Sequence, residues 1–327
     1  MANYYANKPK NNYFMGCSRG GGEAMAAAAL YPDNYDGIVA QAPAPEMKAF
    51  IARAASQGPL ATVATTEWNS ILSAYIEQCD ALDGVKDGVV SAKKACTFDP
   101  IQWVAAQNWT PAKQDAVKSQ YSDLKLADGT VVNQKYPLGE FFPLTDYLGE
   151  PWLRIARSDW SWTYSVKNFD LNSDWRNISS MADSVSLDVD PLKLAQFLKK
   201  GKKMLVYMGL DDAALSIEAT DAYINNVKTA AGSSSINTQT RYFPGVGHCG
   251  ATNETTQLGP NSADMLGALR NWVETDTAPG NMVATRFNAD GTVKARRPLC
   301  LVGTHPQYKG TGDVNLAESY SCVADGA

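Results

Sequence analysis

Ser18 stands in Tyr13-Phe-Met-Gly-Cys-Ser-Arg-Gly-Gly-Gly22, where a short apolar run ends in small residues. The chain has two histidines, and the first, His248, lies in the glycine-rich run Phe243-Pro-Gly-Val-Gly-His-Cys-Gly250. Between them Gly209-Leu-Asp-Asp-Ala213 offers two adjacent carboxylates, Asp211 and Asp212. A hydroxyl, an imidazole and a carboxylate are the three groups that nucleophilic acyl transfer needs. The imidazole takes the hydroxyl proton, and the carboxylate fixes the imidazole tautomer. Cysteines flank two of these residues, Cys17 before the serine and Cys249 after the histidine. If Ser18 and His248 meet, the two cysteines fall near the separation of about 4.4–6.8 Å that a disulfide spans. Such a bond would tie nucleophile to base and is worth roughly 5 kcal/mol in the chain-entropy account.

A second cluster has different chemistry. Cys79-Asp-Ala-Leu-Asp-Gly-Val-Lys-Asp-Gly-Val89 crowds Asp80, Asp83 and Asp87 together, with Lys86 the only cation nearby in sequence. Gly84 and Gly88 permit tight turns, and hard oxygen donors of this kind suit Ca²⁺. The spacing is not that of an EF-hand, and a pair of solvated Asp-Gly turns is the competing reading.

These residues need elements to hold them. The run Asn12–Met15 reads as a buried strand, and the Ala-rich residues 22–31 as the helix after it, ended by Pro32. Asp36-Gly-Ile-Val-Ala-Gln-Ala-Pro43 reads as a second buried strand. Strand, helix and strand in so short a span make a parallel βαβ unit with a right-handed crossover. Ser18 then sits at a strand-to-helix bend, which is how the nucleophile elbow of an α/β-hydrolase lifts its hydroxyl above the sheet edge. Gly16 and Gly20 flank that bend, where a larger side chain is expected to crowd it.

From residue 45 the pattern changes. Helices are expected at Met47–Arg53 and Thr65–Glu77, but no parallel-type strand follows for about 150 residues, and seven of the eight Trp residues fall here. The α/β pattern resumes with a helix at Leu192–Lys200, a buried strand at 202–209, a helix at Ile217–Ala230, a strand at 240–244 and a helix at Ser262–Glu274. The expected organisation is an α/β-hydrolase core in residues 1–44 and 192–327, interrupted by a lid domain in residues 45–191. His248 and the Asp211–Asp212 pair fall in the loops after the last and the preceding core strands. The order Ser, Asp, His is that of the α/β-hydrolases.

Composition narrows the class. A chain of 327 residues with 45% hydrophobic and 19% charged residues is an ordinary globular protein. Its net charge of −5 gives no reason to bind nucleic acid or an anionic membrane, and no apolar run nears the roughly 18 residues of a membrane helix. The first residues are polar and lack the layout of a signal peptide. Six cysteines permit three disulfides in any of 15 pairings.

The paired Cys17-Ser18 … Asp … His248-Cys249 pattern resembles the tannase and feruloyl esterase family. The Cys79–Val89 run, followed by Cys96-Thr-Phe-Asp-Pro100, is similar to that family's calcium loop. The tail from Arg297-Pro-Leu-Cys300 through Tyr308-Lys-Gly-Thr-Gly-Asp313 to Cys322 is similar to its closing segment. The resemblance runs from about residue 8 to the end and is weakest over residues 100–185. It implies a serine carboxylic-ester hydrolase for galloyl, feruloyl or related aromatic esters, with Ser18, Asp212 and His248 catalytic. The family spacing G-x-x-D selects Asp212 over Asp211. The resemblance further implies disulfides Cys79–Cys96 and Cys300–Cys322, and a structural Ca²⁺ held by Asp80, Asp83, Asp87 and the carbonyls of Val85 and Val89. The disulfides imply a secreted or periplasmic protein.

Three positions depart from the family pattern at its substrate side: Arg19, Met208 and Leu210. Arg19 is expected to contribute its backbone N–H to the oxyanion hole, and its side chain either meets a substrate carboxylate or lies in solvent. Met208 and the lid residues Trp152, Trp160 and Trp162 are candidate substrate contacts. Family members carry a long segment before the nucleophile strand, and a preceding part of the same enzyme is therefore expected. A terephthalate-type monoesterase and a non-catalytic, calcium-stapled secreted fragment are the alternative readings.

Overall fold

The computed structural model describes residues 9–140, 148–165 and 168–326; the polar start of the chain, residues 1–8, lies outside them. Its centre is a four-stranded, all-parallel sheet in the order β1 (Tyr13–Cys17), β2 (Gly37–Gln41), β5 (Lys203–Gly209), β6 (Thr238–Phe243). Helix α1 (Arg19–Leu30) joins β1 to β2, and α9 (Ile217–Ala231) joins β5 to β6. Both are crossovers of the kind a parallel pair requires, because the chain must return to the same end of the sheet.

Burial explains which strand sequences look like core. β5, Lys-Met-Leu-Val-Tyr-Met-Gly, is buried at every position, and β2 at all but its last. One face packs on α1, α8 (Pro191–Lys199) and α9 through Met25, Ile38, Phe197, Met204 and Ile224. The other packs on α10 (Met265–Thr275) through Val39, Leu205, Leu269 and Trp272. The small side chains Ala24 and Ala28 let α1 lie close on the sheet. β1 differs from the expected buried strand: it lies at the sheet's edge among the described residues, and Met15 is exposed. An edge strand has one flank without a partner, so its apolar residues remain partly accessible.

Between β2 and β5 the chain is mainly helical. Helices α2 (Met47–Ala55), α3 (Thr65–Cys79), α4 (Pro100–Ala106) and α5 (Pro111–Tyr121) are followed by a short antiparallel pair, β3 (Leu124–Lys125) and β4 (Val131–Asn133). Helices α6 (Glu150–Arg157) and α7 (Leu171–Ser184) complete it. Trp68, Trp103 and Trp109 build one apolar cluster with Ile71, Leu72 and Val117. Trp152, Trp162 and Trp175 pack on a second cluster that includes Met208 and Leu215 of the sheet side. Arg53 of α2 is fully buried and donates to the carbonyls of Ser119, Ser122 and Gln134, stapling α2 to the segment after α5.

Two antiparallel hairpins after α10 went unread in the sequence: β7 (Met282–Phe287) with β8 (Val293–Leu299), and β9 (Thr304–Tyr308) with β10 (Tyr320–Ala324). Three disulfides close the fold, Cys17–Cys249, Cys79–Cys96 and Cys300–Cys322, which are the pairings expected.

Candidate active site

Ser18 ends β1 and begins α1 with φ 59° and ψ −123°, a backbone conformation that an L-residue adopts only under constraint. Three hydrogen bonds hold it there. The Ser18 amide donates to Gln41 O at 3.0 Å, and its carbonyl accepts from Gly22 N at 3.1 Å and Ala44 N at 3.3 Å. The sharp turn brings Gly16 against Gly20, so a Cβ on Gly16 would stand 2.3 Å from Gly20 O. A Cβ on Gly20 would meet nothing within 4 Å. The expectation that both glycines relieve crowding therefore holds at Gly16 and fails at Gly20, which supplies the backbone that Gly16 must clear. Gly21 and Gly22, not singled out in the sequence, are also tight: an added Cβ would stand 2.5 Å from Gln41 O and from Ala44 O respectively.

His248 follows β6 on a short turn whose next residue, Cys249, takes a left-handed conformation with φ 53°. The Cys17–Cys249 bridge holds the two flanking Cα atoms 5.8 Å apart, bringing the serine turn and the histidine turn together. The loop after β5 reaches the same place. Leu210 N donates to Phe243 O, and Asp211 N donates to Val246 O at 3.0 Å. Asp212, fully buried, faces His248 Nδ1 through Oδ2 at 2.8 Å. Its other oxygen accepts the amides of Ala214 and Leu215 at 3.0 and 3.1 Å. A carboxylate at Nδ1 places the imidazole proton there and leaves Nε2 as the acceptor. His248 makes no hydrogen bond to Ser18 in this conformation; catalytic hydrogen bonds of this kind often tighten only when substrate binds.

Adjacent aspartates take opposite directions. Asp211 pairs with Lys93 at 3.7 Å, and the Lys93 ammonium donates to Leu210 O at 2.5 Å. Burial pushes the Asp211 carboxyl up to about 6, against the opposing pull of Lys93. Nothing in the sequence marked Lys93, which arrives from the turn after the acidic loop.

Arg19 is the first residue of α1, so its amide belongs to the helix turn that has no intrahelical acceptor. Its side chain reaches Glu23 at 3.6 Å on an exposed helix face, the solvent alternative of the two expected. Of the candidate substrate contacts, Trp152 and Trp162 pack on the cluster that also contains Cys17 and Met208. Met208 itself is buried there. Trp162 stacks under the Arg157 guanidinium at 4.5 Å. Trp160 is 73% exposed and is not among the residues of that cluster.

In the acidic loop, Asp80 accepts the amides of Gly88, Val89 and Asp87 at 2.8, 3.1 and 3.3 Å, and Asp83 accepts that of Val85 at 3.2 Å. Gly84 and Gly88 have φ of 89° and 80°, so the tight turns expected there are left-handed. The fold adds a cation the sequence did not suggest: Arg297 of β8 pairs with Asp87. Asp80 and Asp83 are buried and make no ion pair among the described residues. Burial, reinforced by neighbouring carboxylates, pushes Asp80 up and Asp83 to about 6. Among the described residues no three His, Cys, Asp or Glu side chains converge as a metal cage. The donor chemistry nevertheless fits a hard divalent cation, since two buried carboxylates stand without a positive partner.

A strained serine turn after one parallel strand, with an aspartate–histidine pair on the loops after two later strands, defines an α/β-hydrolase. The sequence profile described as "Tannase and feruloyl esterase" matches residues 1–123 and 159–323. The chain belongs to the tannase and feruloyl esterase family. It is 31% identical, over 98% of its length, to a probable feruloyl esterase of Arthroderma benhamiae, and covers 65% of that protein. It is 27% identical to the mono(2-hydroxyethyl) terephthalate hydrolase of Piscinibacter sakaiensis over 99% of its length, again covering 65% of the relative. The chain thus spans slightly under two thirds of these relatives. The crystal structure of feruloyl esterase B from Aspergillus oryzae superposes with a TM-score of 0.83 at 25% identity, covering 98% of this chain and 71% of that one.

Proposed function

We propose that this chain carries the catalytic residues of a serine carboxylic-ester hydrolase for esters of aromatic acids, feruloyl or galloyl among them. The observation that carries the reading is the 2.8 Å contact of Asp212 with His248 Nδ1, held against the Ser18 turn by the Cys17–Cys249 bridge. In the first half-reaction, His248 Nε2 accepts the Ser18 proton as Ser18 Oγ attacks the ester carbonyl. The tetrahedral oxyanion takes the Arg19 N–H, and a single donor of this type typically supplies about 10²–10³ in rate. Collapse breaks the C–O bond to the alcohol, which leaves with the proton returned by His248. Water then repeats the sequence on the acyl-serine, releasing the acid and restoring Ser18. Asp212 keeps its charge throughout and stabilises the imidazolium.

The acidic loop is proposed to hold Ca²⁺ through Asp80, Asp83, Asp87 and the carbonyls of Val85 and Val89. Its chemistry there is neutralisation of buried carboxylates, a structural contribution. The three disulfides support an oxidising compartment, hence a secreted or periplasmic protein.

Hydrolysis of p-nitrophenyl acetate and methyl ferulate by the parent and by Ser18→Ala tests the reading. It predicts loss of both activities in the variant, and equal rates would overturn it. The Piscinibacter sakaiensis relative favours a second substrate reading, a terephthalate monoester. Comparing kcat/KM for methyl ferulate, methyl gallate and mono(2-hydroxyethyl) terephthalate separates the two.

A further inference from the structure

Gln257 lies in the loop between the His248 turn and α10, and its side chain is buried against both loops of the aspartate–histidine pair. Its Nε2 donates to Asp211 O at 3.4 Å, the carbonyl immediately before Asp212. The same amide lies over Gly247, the residue immediately before His248. A Cβ on Gly247 would stand 2.3 Å from Gln257 Nε2 and 2.9 Å from Oε1. Gln257 therefore touches the residue that precedes each partner of the 2.8 Å Asp212–His248 contact. Gly247 itself needs no left-handed backbone, since its φ of −90° and ψ of −160° are open to any residue. The nearest atoms that a side chain there would meet all belong to Gln257.

The backbone of Gln257 is fixed without help from its side chain. Asn253 Oδ1 accepts the amides of Thr255, Thr256 and Gln257 at 2.9, 2.7 and 3.0 Å, closing an Asx-type turn. Arg286 of β7, also buried, donates to Gln257 O at 3.1 Å and to Asn253 O at 2.8 Å. Two residues further on, Gly259 N donates to Gly245 O at 2.8 Å, and a Cβ on Gly259 would stand 1.8 Å from Pro244 O. The segment is thus clamped to β7 at Arg286 and to the histidine loop at Gly245. From that fixed backbone the Gln257 amide reaches both Gly247 and Asp211 O. The bond from Asp211 N to Val246 O also joins the two loops, and the Gln257 contact lies one residue closer to His248.

We propose that Gln257 is a positioning residue for the hydrolysis: it sets the Gly247–His248 peptide against the Asp211–Asp212 peptide, and so aligns His248 Nδ1 with Asp212 Oδ2. The assignment rests on the hydrolytic reading of Ser18, Asp212 and His248. Gln257 touches no reacting atom and acts only through the two residues it contacts. Its effect is large because a misplacement of about 1 Å, caused away from the chemistry, costs about 10²-fold in rate.

Gln257→Ala removes the amide and leaves the turn, whose bonds are to the Gln257 backbone. With methyl ferulate, kcat is expected to fall about tenfold to a hundredfold while KM stays within about twofold, as for a group that does not touch substrate. Gly247→Ala is the second variant: its methyl displaces the same amide and should lower kcat to a similar degree. In Gly247→Ala/Gln257→Ala that methyl has room, so adding it to Gln257→Ala should change kcat by less than about twofold. Ring ¹⁵N shifts of histidine-labelled protein, at a pH where the imidazole is neutral, give a readout without turnover. His248 is expected to be wholly the Nδ1–H tautomer in the parent and a mixture of tautomers in both single variants. His305, which meets Asp325 through Nδ1 at 2.9 Å, should stay unchanged and serves as the internal control. An unchanged kcat in Gln257→Ala, a raised KM at constant kcat, equal effects of Gly247→Ala in both backgrounds, or an unaltered His248 tautomer would overturn the assignment. Should Gln257→Ala not fold, kcat and the His248 tautomer in Gly247→Ala decide. If the parent hydrolyses neither p-nitrophenyl acetate nor methyl ferulate, the hydrolytic reading fails, and the tautomer alone decides whether Gln257 holds the pair.

Discussion

Asp211 and Asp212 are chemically identical neighbours with different partners, Lys93 and His248, and the proposed reaction gives them different tasks that mutation can separate. In Asp212→Asn the shape is kept and the charge is lost. The amides of Ala214 and Leu215 need an acceptor, so the Asn carbonyl oxygen must take the place of Oδ1. That turns the Asn NH₂ toward His248 Nδ1, which then becomes an acceptor, and the imidazole proton moves to Nε2. An Nε2–H cannot take the Ser18 proton. The comparable change in serine proteases lowers kcat by about 10⁴, or about 5 kcal/mol of barrier. Asp211→Asn instead strands the Lys93 ammonium beside Leu210 O, which costs stability, about 3 kcal/mol for a broken buried pair. Its kcat should stay within about threefold of the parent, because no atom of the proposed reaction touches it. Methyl ferulate hydrolysis followed by chromatography gives kcat, and thermal melts give stability. The assignment fails if Asp212→Asn keeps a tenth of the parental kcat, or if Asp211→Asn is the variant that loses the rate.

Four further expectations follow from the geometry. Gly16→Ala forces a methyl into Gly20 O and should cost about 1–3 kcal/mol or more with loss of activity, whereas Gly20→Ala should be neutral or stabilise α1 by up to about 1 kcal/mol; melts and initial rates on both variants check this. Cys17→Ala/Cys249→Ala should lower stability by up to about 5 kcal/mol and reduce kcat, read from denaturant curves and hydrolysis rates. Chelation with EDTA should lower the melting temperature while leaving kcat of the still-folded fraction little changed, since the acidic loop contributes no group to the proposed reaction. Between 3.8 and about 6 the folded chain keeps a proton on Asp211 that the unfolded chain has released. This group's contribution therefore falls as pH rises through that window, and Asp211→Asn should remove that part of the slope in denaturant melts.

Much of this geometry was legible in the residues. β2 and β5 were readable because central parallel strands are apolar runs, and the helices α1, α9 and α10 because their apolar positions recur at helical spacing. The Cys17–Cys249 pairing was legible because each cysteine sits beside a residue that chemistry would bring together. The hairpins β7–β8 and β9–β10 were missed because Arg286, Arg296, Arg297 and His305 interrupt the apolar alternation that marks a strand. Those side chains are spent on particular long-range partners, Arg286 on Gln257 O and Arg297 on Asp87. Lys93 and Arg297 were invisible for the same reason. A single cation carries no sequence signal of the carboxylate that folding will place against it.

The central claim is that Ser18 forms a covalent acyl intermediate. Rapid acid quench of the enzyme with p-nitrophenyl acetate, followed by digestion and mass spectrometry, tests it directly. The account predicts one acetyl group on the peptide containing Ser18, absent in Ser18→Ala. Turnover without that adduct, or the same adduct yield in Ser18→Ala, would contradict it.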